Sequence, residues 1–265
     1  MLDEQYRIAT LERIARHTVG IAVNKNTGVG TGSLISSQDK LYILTAAHVI
    51  GDSPAERIRF WFRPTTPIKE RPAADTTDAD VGGYHIGTVL PIDEIQMFPD
   101  KDIAILALSG RFTPPDGSEA YHIASSQDVV NWPEQVLDGL SLVVFGFPTD
   151  NSRAIARVGD NIFFYIGCAS LVSDYSSNLN STAWPRLPSS LSREKDFVFA
   201  YSSYSEEIGP RGFSGAGVWV LRNDPKNPIW RADPMLIGVT HKHFKGSNLL
   251  AATKLSAIIE SKETK

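Results

Sequence analysis

Cysteine is nearly absent from the sequence, which contains only Cys168 among 265 residues. No disulfide can form within the chain, so the disulfide-stapled frameworks of small secreted domains are excluded. Basic residues are not in excess either. The chain has 26 Lys and Arg and 30 Asp and Glu, so the formal net charge is −4. A mildly acidic chain has no global attraction for nucleic acid or anionic membranes, and we expect neither as a partner.

Long hydrophobic runs are also missing. The most apolar stretch, residues 140–147, has fewer than half of the roughly 20 residues that a membrane-spanning helix needs. Residues 1–7 are charged early and lack the apolar segment of a signal peptide. We therefore expect a soluble protein located in the cytoplasm, with no membrane as a partner.

Helical periodicity is found at the two ends of the chain. Apolar residues recur at spacings of three and four within residues 3–17, which predicts a short N-terminal helix. The same spacing within residues 253–261 predicts a C-terminal helix.

Short apolar or alternating runs, separated by Gly, Pro, Asp and Ser, occupy much of the remaining sequence. Such runs without long helices between them are typical of antiparallel sheets or barrels. They form two sets of six: residues 19–24, 30–36, 41–45, 57–63, 84–90 and 103–108, then residues 142–147, 162–171, 197–201, 217–221, 235–240 and 248–252.

The two sets predict an all-β fold of two six-stranded antiparallel β-barrels. The predicted boundaries are residues 1–17 for the N-terminal helix, 18–110 for the first barrel, 111–139 for a turn-rich linker, and 140–265 for the second barrel with the C-terminal helix. A site shared by two adjacent barrels would lie in the cleft between them.

Three short segments contain residues that could perform chemistry. His48 follows an apolar strand, Asp102 begins another, and Ser214 lies in a glycine-rich turn. A serine hydroxyl becomes a strong nucleophile when a histidine accepts its proton, and an aspartate can orient that histidine. Glycines beside the serine let backbone N–H groups stabilise a developing oxyanion. Each segment alone is more often a structural turn or cap, but their combination favours a catalytic triad.

These segments resemble a known family. The sequences TAAH at residues 45–48, DIAIL at 102–106 and GFSG at 212–215 are similar to the catalytic segments of trypsin/chymotrypsin-fold serine endopeptidases, in the same His, Asp, Ser order. The similarity spans about residues 18–262 and is greatest to bacterial, non-secreted members. It implies a chymotrypsin-like fold and hydrolysis of peptide bonds through an acyl-enzyme, without a metal or organic cofactor.

The resemblance also assigns roles by position. It implies His48 as general base and acid, Asp102 as the residue that orients it, and Ser214 as the nucleophile. It places the oxyanion hole at the backbone N–H groups of Gly212 and Ser214. The partner that it implies is a protein or peptide substrate.

The residue before the nucleophile departs from the family pattern. Secreted digestive members usually have an aspartate there, which pairs with a new N-terminus after zymogen cleavage, whereas this sequence has Phe213. Activation by that route is therefore not expected. The turn must be ordered otherwise, by Phe213 packing inward or by an activating protein partner in a bacterial intracellular system.

The primary specificity pocket is less well defined by the sequence. The resemblance assigns it to Ile208, Val239, Thr240 and His241. Ile208 and Thr240 favour a small or medium apolar substrate residue, whereas two nearby glutamates, at positions 206 and 207, leave a basic preference open. His241 and His243 lack further ligands nearby in the sequence, so no metal site is expected.

Three alternatives stay open at this stage. The first is a catalytically silent pseudoprotease that uses the same fold to bind peptides or as a scaffold; retention of all three side chains argues against it. The second is an α/β-hydrolase-type esterase using Ser214, Asp233 and His241, which would need a glycine at position 216 and alternating strands and helices. The third is a nucleic-acid or general interaction domain built from β-barrels, which the acidic balance and the absence of a basic stripe disfavour.

Overall fold

The structure, a computed structural model, describes residues 4–23, 29–62, 82–86, 88–123, 138–149, 152–158, 161–167, 169–201, 209–221 and 234–263. Four α-helices occur in these ranges: α1 Glu4–Arg16, α2 Ala47–Ile50, α3 Ser177–Ala183 and α4 Leu255–Glu263. The predicted N-terminal and C-terminal helices are thereby confirmed. Within the described ranges, no helix combines the length and apolar character needed to cross a membrane.

The first large sheet is built from the N-terminal part of the chain. Its antiparallel strands follow the order β4-β1-β2-β3-β7-β6, and the short strand β8 pairs in parallel with β2. The strands are β1 Thr18–Val23, β2 Val29–Ser37, β3 Lys40–Ala46, β4 Ile58–Phe62, β6 Ile92–Phe98, β7 Ile103–Leu108 and β8 Tyr121–His122.

The second large sheet is built from the C-terminal part and follows the order β12-β9-β14-β15-β16-β13. Its edge strands β12 and β13 also contact each other, so the sheet curls. The strands are β9 Ser141–Gly146, β12 Ala169–Asp174, β13 Asp196–Ala200, β14 Gly217–Leu221, β15 Pro234–Phe244 and β16 Leu249–Lys254. The prediction of an all-β fold with two six-stranded antiparallel half-barrels is confirmed.

A third, smaller sheet joins residues from both halves of the chain. It consists of β5 Gly82–Ile86, β10 Ser152–Val158 and β11 Asn161–Gly167, in the order β10-β11-β5. Residues 124–137, most of the second half of the predicted linker, lie outside the described residues, and the domain boundaries stay a prediction.

Apolar side chains form one core in each half-barrel and a further core between them. Phe60 and Leu106 are fully buried in the first, and Phe197 and Val218 in the second. The shared core contains side chains of both sheets and of α1, among them Leu44, Trp61, Ile14, Trp219 and Val239. Burial of this surface holds the two half-barrels together.

His17, directly after α1, packs against both large sheets. Its ring stacks on Trp219 of β14 at 5.4 Å and meets the edge of Tyr121 of β8 at 5.7 Å. Burial lowers the pKa of His17 below its ordinary 6.5, although a hydrogen bond to the carbonyl of Glu119 acts in the opposite direction. The neutral ring donates its Nδ1–H to that carbonyl, at 2.7 Å.

Candidate active site

His48 lies where β3 gives way to the single turn of α2. Ala46 is still extended, and the chain turns into the helix at Ala47. Ala47 and Ile50 face the core, which leaves the His48 side chain on the outer side with 49% of its surface exposed. The imidazole is therefore held on rigid structure while one edge of it stays open to solvent.

Asp102 is placed beside His48 by strand pairing. It follows the 3₁₀ turn Pro99–Lys101 and directly precedes β7. The first residue of β7, Ile103, pairs with Ala46 of β3. Three hydrogen bonds join the two segments: Ala47 N–H to the Asp102 carbonyl at 2.9 Å, His48 N–H to Oδ1 at 2.9 Å, and His48 Nδ1 to Oδ2 at 2.7 Å. Because a carboxylate only accepts, Nδ1 carries the proton and Nε2 is left free to act as a base.

The Asp102 carboxyl is held in its ionised form. Burial by itself would raise its pKa, but the two hydrogen bonds from His48 and the positive potential of His48 and His241 outweigh burial and lower the pKa below 3.8. The Asp102 side chain is 31% exposed, so part of its surface is shielded from water. It stays a carboxylate over the neutral pH range, which is what fixing a histidine tautomer requires.

The turn that contains Ser214 leads into β14 and rests on the first sheet. Its Ser214 carbonyl accepts a 2.9 Å hydrogen bond from Thr31 N–H of β2. Gly215 has a φ of +86°, and a Cβ there would lie 2.0 Å from the Thr31 carbonyl oxygen and 2.9 Å from Ala46 N. The serine turn thus contacts the strand end from which His48 projects.

Ser214 itself is partly exposed, and its backbone makes the contacts that place it. None of the hydrogen bonds between described residues uses the Ser214 hydroxyl. Contact between this hydroxyl and the His48 ring is therefore part of the proposal made below.

Phe213 packs inward. Its side chain is buried in the core of the second half-barrel. It lies so close to Gly146 that a Cβ on that glycine would be 2.8 Å from its ring.

The residues predicted for the specificity pocket are placed differently from one another. Val239 and Thr240 are buried, and the Thr240 hydroxyl turns toward the serine turn. His241 is also buried, with Nε2 3.4 Å from Oδ1 of Asp196. Ile208 lies outside the described residues. The assignment of these residues to a pocket stays a prediction.

Two polar residues that the structure brings to the site were not predicted from the sequence. Thr31 on β2 is fully buried and bonded to the serine turn, and Asp196 on β13 is buried beside His241. The sequence marks neither residue, because each acquires its partners from distant parts of the chain. As for metal ligands, no cluster of three or more His, Cys, Asp or Glu exists within the described part of the chain.

Gly212 offers a test of how closely the turn is packed. Its φ is +99°, and a Cβ would lie 2.2 Å from the Phe147 carbonyl oxygen. We expect Gly212→Ala to lower the free energy of unfolding by about 2–5 kcal/mol, from left-handed strain and overpacking together, and to impair activity. Chemical denaturation measures the stability change.

Two other glycines separate these causes. Gly139 has a φ of +77° with open space around it, so Gly139→Ala should cost only about 1–2 kcal/mol from backbone strain. Gly110 has neither constraint, and Gly110→Ala should leave stability within about 0.5 kcal/mol. Equal losses for Gly212→Ala and Gly139→Ala would contradict tight packing of the turn.

Comparisons with known proteins agree with the geometry. A family model described as Trypsin matches residues 9–156, which is more than half of the 265 residues and includes His48 and Asp102. Among the solved structures that match is a serine protease of human pathogenic astrovirus, with 14% identity and a TM-score of 0.42. That match covers 91% of this chain and 90% of the viral chain. No curated protein matches the chain significantly.

Proposed function

Since this chain belongs to the trypsin family, we propose that it is a serine endopeptidase that cleaves protein substrates with Ser214, His48 and Asp102. The observation that carries the proposal is the His48–Asp102 pair. Asp102 accepts hydrogen bonds from both the backbone and the ring of His48, which fixes the ring and its tautomer while its other edge stays exposed. The serine turn rests on the same strand ends.

The proposed mechanism uses only side chains and backbone of this chain. His48 Nε2 accepts the Ser214 proton as Ser214 Oγ attacks the peptide carbonyl, and the N–H groups of Gly212 and Ser214 bind the resulting oxyanion. The imidazolium, stabilised by Asp102, then gives its proton to the leaving amine, and an acyl-enzyme is left on Ser214. Water, deprotonated by His48, then attacks the acyl carbon; the ester bond to Ser214 Oγ breaks, Oγ takes the proton back from His48, and the second product leaves as a carboxylic acid.

The second candidate is a pseudoprotease in which the same fold binds peptides without cleaving them. The exposed, oriented histidine favours the enzyme over this candidate. An activating protein partner, a bacterial intracellular setting and a cytoplasmic location remain parts of the proposal that rest on the sequence alone.

Hydrolysis of dye-labelled casein by the purified protein tests the function. We expect wild type to release dye, and Asp102→Asn to lower kcat by about 10⁴-fold, the loss that the corresponding substitution causes in trypsin. An asparagine can donate to Nδ1, which favours the tautomer protonated at Nε2, where no proton can be accepted from Ser214. Asp100, the middle residue of the 3₁₀ turn Pro99–Lys101, supplies the matched control.

Asp100 is mostly exposed and only 3.6 Å from Lys195, so Asp100→Asn should keep wild-type activity. Because the pKa of Asp102 is below 3.8, its protonation should not set the acid limit of activity at pH 5–7. Wild type that neither hydrolyses casein nor reacts with a fluorophosphonate would favour the pseudoprotease instead.

A further inference from the structure

The serine turn has to aim two backbone N–H groups at one point, and this chain lacks the ion pair with which secreted relatives order that turn. In a planar trans peptide, the C=O of one residue and the N–H of the next point in opposite directions. A hydrogen bond that fixes a carbonyl therefore also fixes the following N–H. The directions of the Gly212 and Ser214 N–H groups are set by the carbonyls of Arg211 and Phe213.

Thr240 of β15 fixes the second of these carbonyls. Its hydroxyl donates to the Phe213 carbonyl at 2.5 Å, and its side chain is only 1% exposed. Its backbone pairs with the same turn, because Thr240 N–H donates to the Ala216 carbonyl at 2.9 Å and Gly215 N–H donates to the Thr240 carbonyl at 2.7 Å. The Ser214 N–H is thereby directed away from the Thr240 hydroxyl.

The Arg211 carbonyl is fixed by backbone alone, through a 2.8 Å hydrogen bond from Thr149 N–H. This bond directs the Gly212 N–H away from the segment that follows β9. The hydrogen bond forms only if that segment, which includes Phe147, keeps its position relative to the serine turn.

Thr31 of β2, in the first half-barrel, joins this segment to the serine turn. Its fully buried hydroxyl donates to the Gly212 carbonyl at 2.6 Å and accepts from Phe147 N–H at 3.1 Å. Its own N–H donates to the Ser214 carbonyl at 2.9 Å. Thr31 thus holds the turn on both sides of Phe213 and joins it to the segment whose Thr149 N–H fixes the Arg211 carbonyl.

We propose that Thr31 and Thr240 are positioning residues, one from each half-barrel, that hold the N–H groups of Gly212 and Ser214 ready to bind an oxyanion. The inference rests on the proposed function. The hole is then formed within the chain itself: Thr149 N–H and the Thr240 hydroxyl hold the Arg211 and Phe213 carbonyls, and Thr31 keeps the turn in register. Cleavage of the N-terminus is then not needed to order the turn.

Valine substitutions test the two hydroxyls, because valine keeps the shape of threonine and removes the hydroxyl with both of its hydrogen-bond contacts. We expect Thr31→Val and Thr240→Val each to lower kcat and the second-order rate of fluorophosphonate labelling by about 10- to 100-fold, with KM within about twofold. Thr31→Ser and Thr240→Ser keep the hydroxyl and should restore the rates to within about threefold of wild type.

Thr18→Val is the matched control. Thr18 is a buried threonine whose hydroxyl donates to the Ile14 carbonyl at 2.9 Å, and its hydroxyl contact lies in α1 rather than in the serine turn. It should lose a comparable amount of stability in thermal melting while labelling at the wild-type rate. This comparison separates loss of a buried hydrogen bond from loss of positioning.

The possible outcomes distinguish failure of this inference from failure of the proposed function. Valine variants that label at the wild-type rate, serine variants as slow as the valine variants, or a Thr18→Val variant equally slow would overturn the inference while leaving the proposed function intact. Wild type that is not labelled at all would instead overturn the proposed function. If one valine variant does not fold, the other valine variant and both serine variants still decide the matter.

Discussion

Ser214→Ala is expected to lower kcat for casein hydrolysis on the order of 10⁶-fold, as loss of a triad nucleophile does in other serine proteases. The substitution removes the only atom of the turn that is proposed to form a bond to substrate. The fold should be unaffected, because the contacts that place the turn use the backbone of Ser214 and not its hydroxyl.

Ser247→Ala is the matched control for this experiment. Ser247 is exposed, and its hydroxyl lies 3.4 Å from the Phe244 carbonyl in a turn that the mechanism does not use. Wild-type turnover is expected for it, with an unchanged melting temperature. A Ser214→Ala protein that still hydrolyses casein at more than about a hundredth of the wild-type rate would remove Ser214 from the mechanism.

His48→Ala should have an effect of similar size, about 10⁶-fold on kcat, since a serine without its base is left at its intrinsic reactivity. The His48 ring is half exposed and packs little, so its removal should barely change the melting temperature. The carboxylate of Asp102 keeps the backbone N–H of residue 48 as a partner.

His122→Ala provides the comparison for His48. Among the described residues, the side chain of this exposed histidine on β8 has one hydrogen-bond partner, the Ser36 hydroxyl at 3.2 Å. It should retain full activity. Equal activity of the His48 and His122 variants would show that the imidazole of His48 is not the base, whatever its bond to Asp102.

Most strands of the two half-barrels were predictable because their apolar side chains face one core. The exceptions have local causes. Strand β6, IDEIQMF, was missed because two adjacent acidic residues and a bulge between Ile92 and Glu94 break its alternation at the edge of the sheet. The predicted strand at residues 84–90 corresponds to β5, which belongs to the third sheet rather than to the first barrel.

Residues 162–171 were predicted as one strand and form parts of two. Strand β11 ends at Gly167 in the third sheet, and β12 begins at Ala169 in the second large sheet. A change of sheet leaves no mark on the sequence pattern, because the run of mostly apolar residues continues across it. The sequence therefore shows the strands but not where the chain leaves one sheet for another.

The residues of the site likewise divide into those that the sequence predicts and those that it does not. His48, Asp102 and Ser214 stand in short segments with a recognisable order, so their combination could be read from the sequence. Thr31 and Thr240 could not be found by such reasoning, because their hydroxyls act on residues 181 and 27 positions away. Thr240 was predicted only as a pocket residue, and the bond from its hydroxyl to the serine turn was not predicted.

The most direct test of the central claim is mass-spectrometric mapping of the adduct formed with a fluorophosphonate. The reagent bonds covalently to a serine only when a base activates the hydroxyl and backbone N–H groups receive the negative charge on its oxygen. We predict a single adduct, on the peptide that contains Ser214. Absence of any adduct, or an adduct on a different residue, would contradict the account.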